Sequence, residues 1–205
     1  MKVITEFPIA YESHDHIDPK GTMADNTHHK FFVRRTAKIF RDPLVHIDLG
    51  CAGGGLVKDF IDYGHTSIGI EGSDYSQKNK RAEWATIPHN LFTADITKPF
   101  EVIDGQGRRL SCNVITAWEV LEHIHKEDLP GLFENIHKHL ADDGIFVGSV
   151  STEPDGDWHV TLEQKPWWHE QFAASGLFPV PEEEQLYEEE HMVRRSSFYV
   201  VMKKG

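Results

Sequence analysis

The sequence predicts a three-layer α/β domain built on a mostly parallel sheet. An apolar run at 45–49 is followed by a glycine-rich turn and a helical pattern, which together indicate a strand, a tight turn and a helix. Further apolar runs then alternate with helical segments, as parallel strands joined by crossover helices require. The last apolar run, 198–202, has no helix after it and is predicted to close the sheet.

Length and composition restrict the classes of protein to consider. We expect residues 1–205 to form one domain, because this length suffices for a two-sided α/β core. Lysine and arginine number 21 against 33 acidic residues, and the formal charge of −12 argues against nucleic acid or an anionic membrane as a partner. No long apolar run or signal segment is evident, and two cysteines predict no disulfide, so we expect a cytoplasmic protein.

The first 40 residues divide into an arm and a helix. Residues 1–26 contain two prolines and little periodicity, which predicts an irregular N-terminal arm. Thr27 is suited to cap a helix over about 28–40, in which Phe32 and Ala37 supply apolar contacts.

The most informative stretch follows the first strand. Asp48 lies at the end of this strand, and positions 50–55 hold four glycines and an alanine. Small residues let the backbone approach a ligand closely, and the free amides of the next helix, about 56–63, can face a polar ligand group. These features predict a nucleotide-binding turn.

Two classes of nucleotide cofactor fit this turn. Gly50, Ala52 and Gly55 loosely satisfy the G-x-G/A-x-x-G pattern of a dinucleotide site, and Glu71 lies about 20 residues further on, so an NAD-type oxidoreductase remains open. Asp48 argues against this class because a carboxylate there would repel a pyrophosphate. It suits a cofactor with a cationic amino-acid end.

The remaining elements follow the same alternation. We expect strands at 66–70, 89–93, 112–117 and 145–150, and helices at about 74–86, 132–140 and 165–174. Glu71 follows the second strand, where a carboxylate can accept hydrogen bonds from ribose hydroxyls. Asp95 follows the third strand, in step with Asp48 and Glu71, and is therefore a further candidate for binding the nucleotide.

The order of these motifs resembles that of the class I S-adenosylmethionine (SAM) dependent methyltransferases. Their first motif is an acid followed by G-x-G-x-G, which 48–54 matches with Ala52 in place of the middle glycine. The resemblance covers roughly 38–203 and implies a Rossmann-like methyltransferase fold with an antiparallel C-terminal strand. It also implies that residues 1–40 cover the active site, that SAM is the cofactor and that S-adenosylhomocysteine (SAH) is the product.

The resemblance assigns cofactor contacts residue by residue. Asp95 matches the acid that receives the adenine amino group, and Ile96 matches the apolar residue beside the ring. Trp118 is placed to pack against the adenine or the methionine chain. The expected cofactor-binding residues are Asp48, Gly50, Ala52, Gly54, Glu71, Gly72, Asp95, Ile96 and Trp118.

The segment after the fourth strand is expected to face the substrate. Residues 119–123 resemble the family's E-V-L-E-H segment, and His159 follows the fifth strand. We predict no metal, and we predict that His123 or His159 accepts the acceptor's proton, with a neighbouring carboxylate orienting the ring. In terminal 2′-O-methyltransferases acting on small RNAs, a similar run plus a later histidine binds a divalent metal. The corresponding alternative metal ligands are Glu119, Glu122, His123 and His159.

The predicted function is methyl transfer from SAM to an oxygen or nitrogen of a small polar metabolite, with no nucleic acid or membrane as partner. Two other classes are retained as alternatives. An NAD-type oxidoreductase should carry a Tyr-x-x-x-Lys or His/Asp pair for hydride handling, which we do not find. A noncatalytic nucleotide-binding module would share the fold, but the tryptophans and histidines expected around the crevice argue against it.

Overall fold

A computed structural model of the protein describes residues 1–40, 43–188 and 197–205. The strands are β1 (Lys2–Thr5), β2 (Val45–Leu49), β3 (Thr66–Glu71), β4 (Leu91–Thr93), β5 (Phe100–Ile103), β6 (Cys112–Trp118), β7 (Leu140–Ser151), β8 (Leu177–Pro179) and β9 (Ser197–Lys204). The α-helices are α1 (His14–Ile17), α2 (Lys20–Ala24), α3 (Lys30–Phe40), α4 (Gly55–Asp62), α5 (Tyr75–Lys78), α6 (Leu129–His139), α7 (Lys165–Ala174) and α8 (Pro181–Glu188). None of the helices in these ranges is long and apolar enough to cross a lipid bilayer.

The central sheet has seven strands in the order β4-β3-β2-β6-β7-β9-β8. The pairs from β4 to β7 are parallel, whereas β9 runs antiparallel to both β7 and β8. This topology confirms the predicted three-layer fold class and its antiparallel C-terminal strand. The strand order reverses between β2 and β6, so the crevice that α/β sheets use for ligands lies beyond their carboxyl ends.

Two apolar layers cover the two faces of this sheet. On β6, Ile115 packs in the layer that contains α6 and α7, and its neighbour Val114 packs in the layer that contains α3 and α4. The alternation follows from the period of two along a strand. Both faces of the central strands are therefore buried, which explains their nearly continuous apolar sequences.

The helix predicted at 74–86 is wrong in extent. The structure has only the single turn α5, followed by a 3-10 turn at Ala82–Ala85. Lys80 and Ala82 interrupt the helix because both adopt positive φ. Trp84 is buried, and its indole N–H donates to the Ala52 carbonyl at 2.8 Å. This tertiary contact with the glycine-rich turn outweighs the local helical pattern.

The prediction of an irregular N-terminal arm is also wrong. The arm, which the structure extends to residue 29, contains α1, α2 and strand β1. Strand β1 pairs antiparallel with β5 in a second, two-stranded sheet. Local periodicity does not reveal this pairing because the partner strand lies almost a hundred residues away. Strands β5 and β8 and helix α8 were likewise not predicted.

Candidate functional site

The glycine-rich turn after β2 adopts backbone conformations that few residues tolerate. Gly50, Ala52 and Gly54 have φ values of 74°, 43° and 88°. A Cβ atom at Gly50 would lie 2.5 Å from Val120 Cγ2, and one at Gly54 would lie 2.7 Å from Leu91 Cδ1. Side chains are excluded at both glycines by space as well as by φ, so the turn presents bare backbone to the crevice.

Glu71 ties the end of β3 to this turn. Its side chain is buried and accepts hydrogen bonds from the backbone N–H groups of Ala52, at 2.7 Å, and Ser73, at 3.1 Å. Burial raises the pKa of Glu71, and the two backbone hydrogen bonds partly oppose this shift. Two backbone donors thus hold the carboxylate at the strand end that the sequence predicted for ribose contact.

Asp48 lies at the same edge of the sheet, one strand away. Its Oδ1 atom accepts a hydrogen bond of 2.6 Å from the Thr116 hydroxyl, and only 4% of the residue is exposed. Burial raises the pKa of Asp48 to about 7, although the hydrogen bond from Thr116 lowers it. The charge of this carboxylate therefore changes close to neutral pH.

Asp95 and Ile96 lie directly after β4. Asp95 Oδ1 accepts hydrogen bonds from the Thr97 backbone N–H, at 2.9 Å, and from the Thr97 hydroxyl, at 2.7 Å. The Asp95 backbone N–H donates to the Phe7 carbonyl of the arm at 2.9 Å. Ile96 is buried in the core layer of α6 and α7. Asp48, Glu71 and Asp95 thus lie at or just beyond the carboxyl ends of three adjacent strands.

Trp118, at the end of β6, lies in the opposite core layer. Its ring contacts Phe32 and Tyr199 edge to face, with centroids 5.2 and 6.0 Å away, and it contacts His29 at 5.6 Å. Its indole N–H is buried and has no hydrogen-bond partner within the described ranges. The structure therefore sets Trp118 between α3 and β9, with one polar atom still to satisfy.

The arm crosses the whole crevice. Its Ala10 backbone N–H donates to the Gly72 carbonyl at 3.0 Å, and the Thr22 hydroxyl lies 3.5 Å from Glu71 Oε1. A Cβ atom at Gly53 would come within 2.4 Å of Asn26 Oδ1. Gly53 is thus small because the arm packs on it, a reason that the sequence did not indicate.

A second cluster of polar side chains lies beside the crevice. Ligand atoms of Glu122, His123 and His159 all fall within 4.8 Å of one another, and the two imidazole centroids are 4.9 Å apart. Backbone hydrogen bonds explain the approach, since the Val160 N–H donates to the Glu122 carbonyl at 2.9 Å and so brings its neighbour His159 alongside. Three of the four alternative metal ligands therefore come together.

Glu119 does not join this cluster. Its carboxylate accepts hydrogen bonds from the hydroxyls of Ser149, at 2.7 Å, and Ser197, at 2.9 Å. The residue also has a φ of 53°, which turns the chain sharply after β6. The structure separates Glu119 from Glu122, although the two are three positions apart in the sequence.

The arm supplies a carboxylate that the sequence did not predict. Asp15 Oδ2 lies 2.9 Å from His123 Nδ1, an ion-pair contact without the alignment of a hydrogen bond, and the second ring nitrogen, Nε2, is left for other partners. Burial lowers the pKa of His123, but Asp15, Glu122 and Glu119 outweigh burial and raise it above its ordinary value. Asp15 has no local motif around it and is brought to His123 only by the course of the arm.

Glu122 is the most buried member of the cluster. It is 0% exposed, and its Oε1 accepts a hydrogen bond of 3.0 Å from the Ser151 backbone N–H. Its Oε2 has no hydrogen-bond partner in the described part of the chain. Burial, followed by the charge of Glu119, raises the pKa of Glu122 to about 7. A buried carboxylate with an unpaired oxygen is suited to hold a proton or a cation.

The geometry fits a nucleoside cofactor with an amino-acid end. The carboxylates of Asp48, Glu71 and Asp95 offer acceptors to an ammonium group, to hydroxyls and to an exocyclic amino group. The glycine-rich turn has no room for side chains at Gly50 and Gly54. The cluster around His123 lies at the other end of the same edge and is available for chemistry on a second molecule.

Comparisons with known proteins agree with this description. A family model described as a methyltransferase domain matches residues 23–195. No curated protein is significantly similar to the sequence.

Solved structures extend the comparison to the fold. A SAM-dependent methyltransferase from Clostridium acetobutylicum is 14% identical with a TM-score of 0.62, and the alignment covers 93% of this chain and 97% of that one. The glycopeptide N-methyltransferase MtfA, complexed with sinefungin, is 14% identical with a TM-score of 0.61 and 88% of each chain covered. Magnesium protoporphyrin IX methyltransferase from Synechocystis, with bound SAH, is 12% identical with a TM-score of 0.59, covering 95% and 97%.

Proposed function

The chain belongs to the methyltransferase domain family and is a SAM-dependent methyltransferase, and we propose that its acceptor is an oxygen or nitrogen of a small polar metabolite. The observation that carries this proposal is the ion pair between Asp15 and His123, which sets a base beside the crevice.

The cofactor-binding residues are proposed from the strand ends. Asp48 would face the cationic amino-acid end of SAM, Glu71 the ribose hydroxyls and Asp95 the adenine amino group. When bound, SAM supplies an electrophilic methyl carbon and a neutral sulfur leaving group. The protein's main contribution is then to hold the acceptor in line with that carbon.

His123 is proposed as the general base and Asp15 as the residue that orients it. Because Nδ1 of His123 faces Asp15, the acceptor's proton would pass to Nε2. The imidazolium formed in this way would be stabilised by Asp15 and by Glu122. His159, whose ring lies 4.9 Å from that of His123, is the alternative base within the same cluster.

Two features support a small acceptor. The arm packs on the glycine-rich turn, on Glu71 and on His123, so that a bulky polymer would have to displace it. The formal charge of −12 disfavours nucleic acid as the acceptor. We further propose that the whole chain acts as one domain with residues 1–40 as its cover.

A divalent cation is the second candidate for this cluster. One carboxylate and two imidazoles within 4.8 Å of one another are a suitable donor set. In that case, His123 and His159 would hold an ion that binds acceptor hydroxyls, and neither would act as the base.

The test uses methyl-labelled SAM, the purified full-length enzyme and a fraction of small polar metabolites from a cell extract. We expect labelled product that persists in EDTA and falls about a hundredfold in the double variant His123→Ala/His159→Ala, the scale of lost general-base catalysis. His125→Ala, at an exposed position two residues away, is the matched control. Loss in EDTA with recovery on adding a divalent ion would establish the metal, and activity that survives both treatments would contradict both candidates.

A further inference from the structure

A chain of buried polar side chains runs through the centre of the sheet to Asp48. We propose that His46 and Thr116 are positioning residues that fix the carboxylate of Asp48 toward the amino-acid end of the cofactor. This inference rests on the proposed placement of that end at Asp48. It concerns neither the acceptor nor the His123 cluster.

The row of hydrogen-bonded polar side chains spans three adjacent strands. Ser67 Oγ lies 2.8 Å from His46 Nδ1, His46 Nε2 lies 2.9 Å from Thr116 Oγ1, and Thr116 donates to Asp48 Oδ1 at 2.6 Å. The register explains the alignment, because His46 stands opposite Ser67 and Asp48 stands opposite Thr116. His46 and Asp48 are two residues apart on one strand, so their side chains share a face.

Counting protons gives the chain a direction. The single hydroxyl proton of Thr116 is donated to Asp48, so the hydrogen bond between Thr116 and His46 must carry a proton from His46 Nε2. Burial lowers the pKa of His46 well below its ordinary value, which makes the ring neutral, and Nδ1 must therefore accept from Ser67. Ser67 thus donates to His46, His46 donates to Thr116, and Thr116 donates to Asp48.

Burial excludes water as an alternative partner in this arrangement. His46, Ser67 and Thr116 are all 0% exposed, and the His46 ring stacks on Phe60 with centroids 3.8 Å apart. In such surroundings, an unpaired donor or acceptor costs more than the hydrogen bond itself contributes, so the three side chains keep their orientations. The row of polar side chains therefore ends at Asp48, which is the member of the row that lies at the crevice.

The expected consequence is a cofactor affinity that depends on pH through Asp48. An ionised Asp48 binds a cationic group, so affinity should rise with pH until Asp48 is fully ionised and then level off. Removing the Thr116 hydroxyl removes a hydrogen bond that favours the ionised form, so the rise should move to higher pH. The other titratable groups around this chain are Glu71 on β3, Asp25 on the arm, Cys51 in the turn and His65 beyond His46.

The experiment compares Thr116→Val, which keeps the shape of the side chain, with Thr116→Ser, which keeps the hydroxyl. Calorimetry measures SAH binding to each full-length protein at about pH 6 and pH 8.5, and thermal denaturation checks folding. We expect Thr116→Val to bind about tenfold more weakly at pH 6 but within about twofold of the parent at pH 8.5, the pattern of a pKa one unit higher. Thr116→Ser should bind SAH with an affinity within about twofold of the parent's at both pH values.

The outcomes distinguish this inference from the placement of the cofactor. If Asp48→Asn leaves SAH affinity unchanged at about pH 8.5, where Asp48 is ionised in the parent, the placement of the amino-acid end at Asp48 is wrong. If Asp48→Asn weakens binding but Thr116→Val binds SAH like the parent, the positioning role is wrong. The positioning role is also wrong if Thr116→Val lowers SAH affinity by the same factor at both pH values. An NMR spectrum of the histidine side chains adds a test without cofactor, since a proton on His46 Nδ1 in place of Nε2 would also overturn it.

Discussion

The two halves of the crevice are built in different ways. The cofactor half, as we propose it, consists of the glycine-rich turn, Asp48 and Glu71, and it is formed by strand ends and by a turn whose Ala52 backbone N–H donates to Glu71. The proposed acceptor half, consisting of Asp15, Glu122, His123 and His159, joins two loops to the arm. Strand ends are fixed by the core, whereas the acceptor half depends on contacts between distant segments. Substitutions should therefore affect the two halves independently.

The largest effect is expected from Gly54→Val in the cofactor half. Gly54 has a φ of 88°, and a Cβ atom would lie 2.7 Å from Leu91 Cδ1, so strain and overlap add. We expect SAH binding to weaken by about a hundredfold or more, equivalent to about 3 kcal/mol. Gly64→Ala is the control, because Gly64 has a φ of 86° but open space around its Cβ. Equal loss in the two variants would show that backbone strain anywhere in the domain lowers the affinity and that Gly54 has no special role.

Removing the carboxylate of Glu71 should have the next largest effect. Glu71→Ala deletes the acceptor for two backbone N–H groups and the proposed ribose contact, so calorimetry should show SAH affinity reduced by about 1.5 to 3 kcal/mol. Thermal unfolding should remain cooperative because the core layers are untouched. Asp62→Ala, at an exposed ion pair on α4, serves as the control. Unchanged SAH affinity would show that Glu71 does not bind the ribose.

The acceptor half is tested by Asp15→Asn. Loss of the Asp15 charge should lower the pKa of His123 from its raised value, as followed by NMR titration of the imidazole. It should reduce methyl transfer about tenfold and move the acid limb of the pH profile to lower pH, because the base must be neutral to accept a proton. SAH affinity should fall less than methyl transfer does, because Asp15 contacts His123 and the arm touches the cofactor half through other residues, such as Thr22 at Glu71. A tenfold loss of SAH affinity would show that the two halves act as one site and would contradict their separation.

The same pair predicts how the arm responds to pH. Because the pKa of His123 is raised in the folded protein, the pair with Asp15 stabilises the closed arm at low pH and loses this effect as pH rises through that pKa. Chymotryptic cleavage after Tyr11, which is 63% exposed, should therefore accelerate with rising pH in the parent when the rate is divided by that of a short peptide substrate at the same pH. In Asp15→Asn, cleavage should already be fast at about pH 6 and change little. A pH-independent parent would contradict the pair's role in closing the arm.

The smallest effect is expected at Lys20, also on the arm. Its ion pair with Asp155, at 3.2 Å, joins side chains that are 59% and 51% exposed, so solvent screens it. Lys20→Ala should leave the chymotryptic cleavage rate within about twofold of the parent. A larger change would mean that the arm is held along its length and not chiefly at His123.

The contrast between the halves also explains what the sequence could predict. The parallel strands, the turn and the acids at the strand ends are local patterns, and the fold class inferred from them is confirmed. Asp15 was missed because only tertiary structure brings it to His123. The polar chain to Asp48 did leave a signal, since His46 and Asp48 alternate with apolar residues in a buried strand. Polar residues on one face of a central strand require partners, here Ser67 and Thr116.

The separation of the two halves is tested most directly by the dissociation constant for SAH in two variants measured together by calorimetry. We expect His123→Ala/His159→Ala to bind SAH within about twofold of the parent and Glu71→Ala to bind at least about tenfold more weakly. The opposite order, with the histidine variant impaired and Glu71→Ala unaffected, would place the cofactor in the acceptor half and contradict this account.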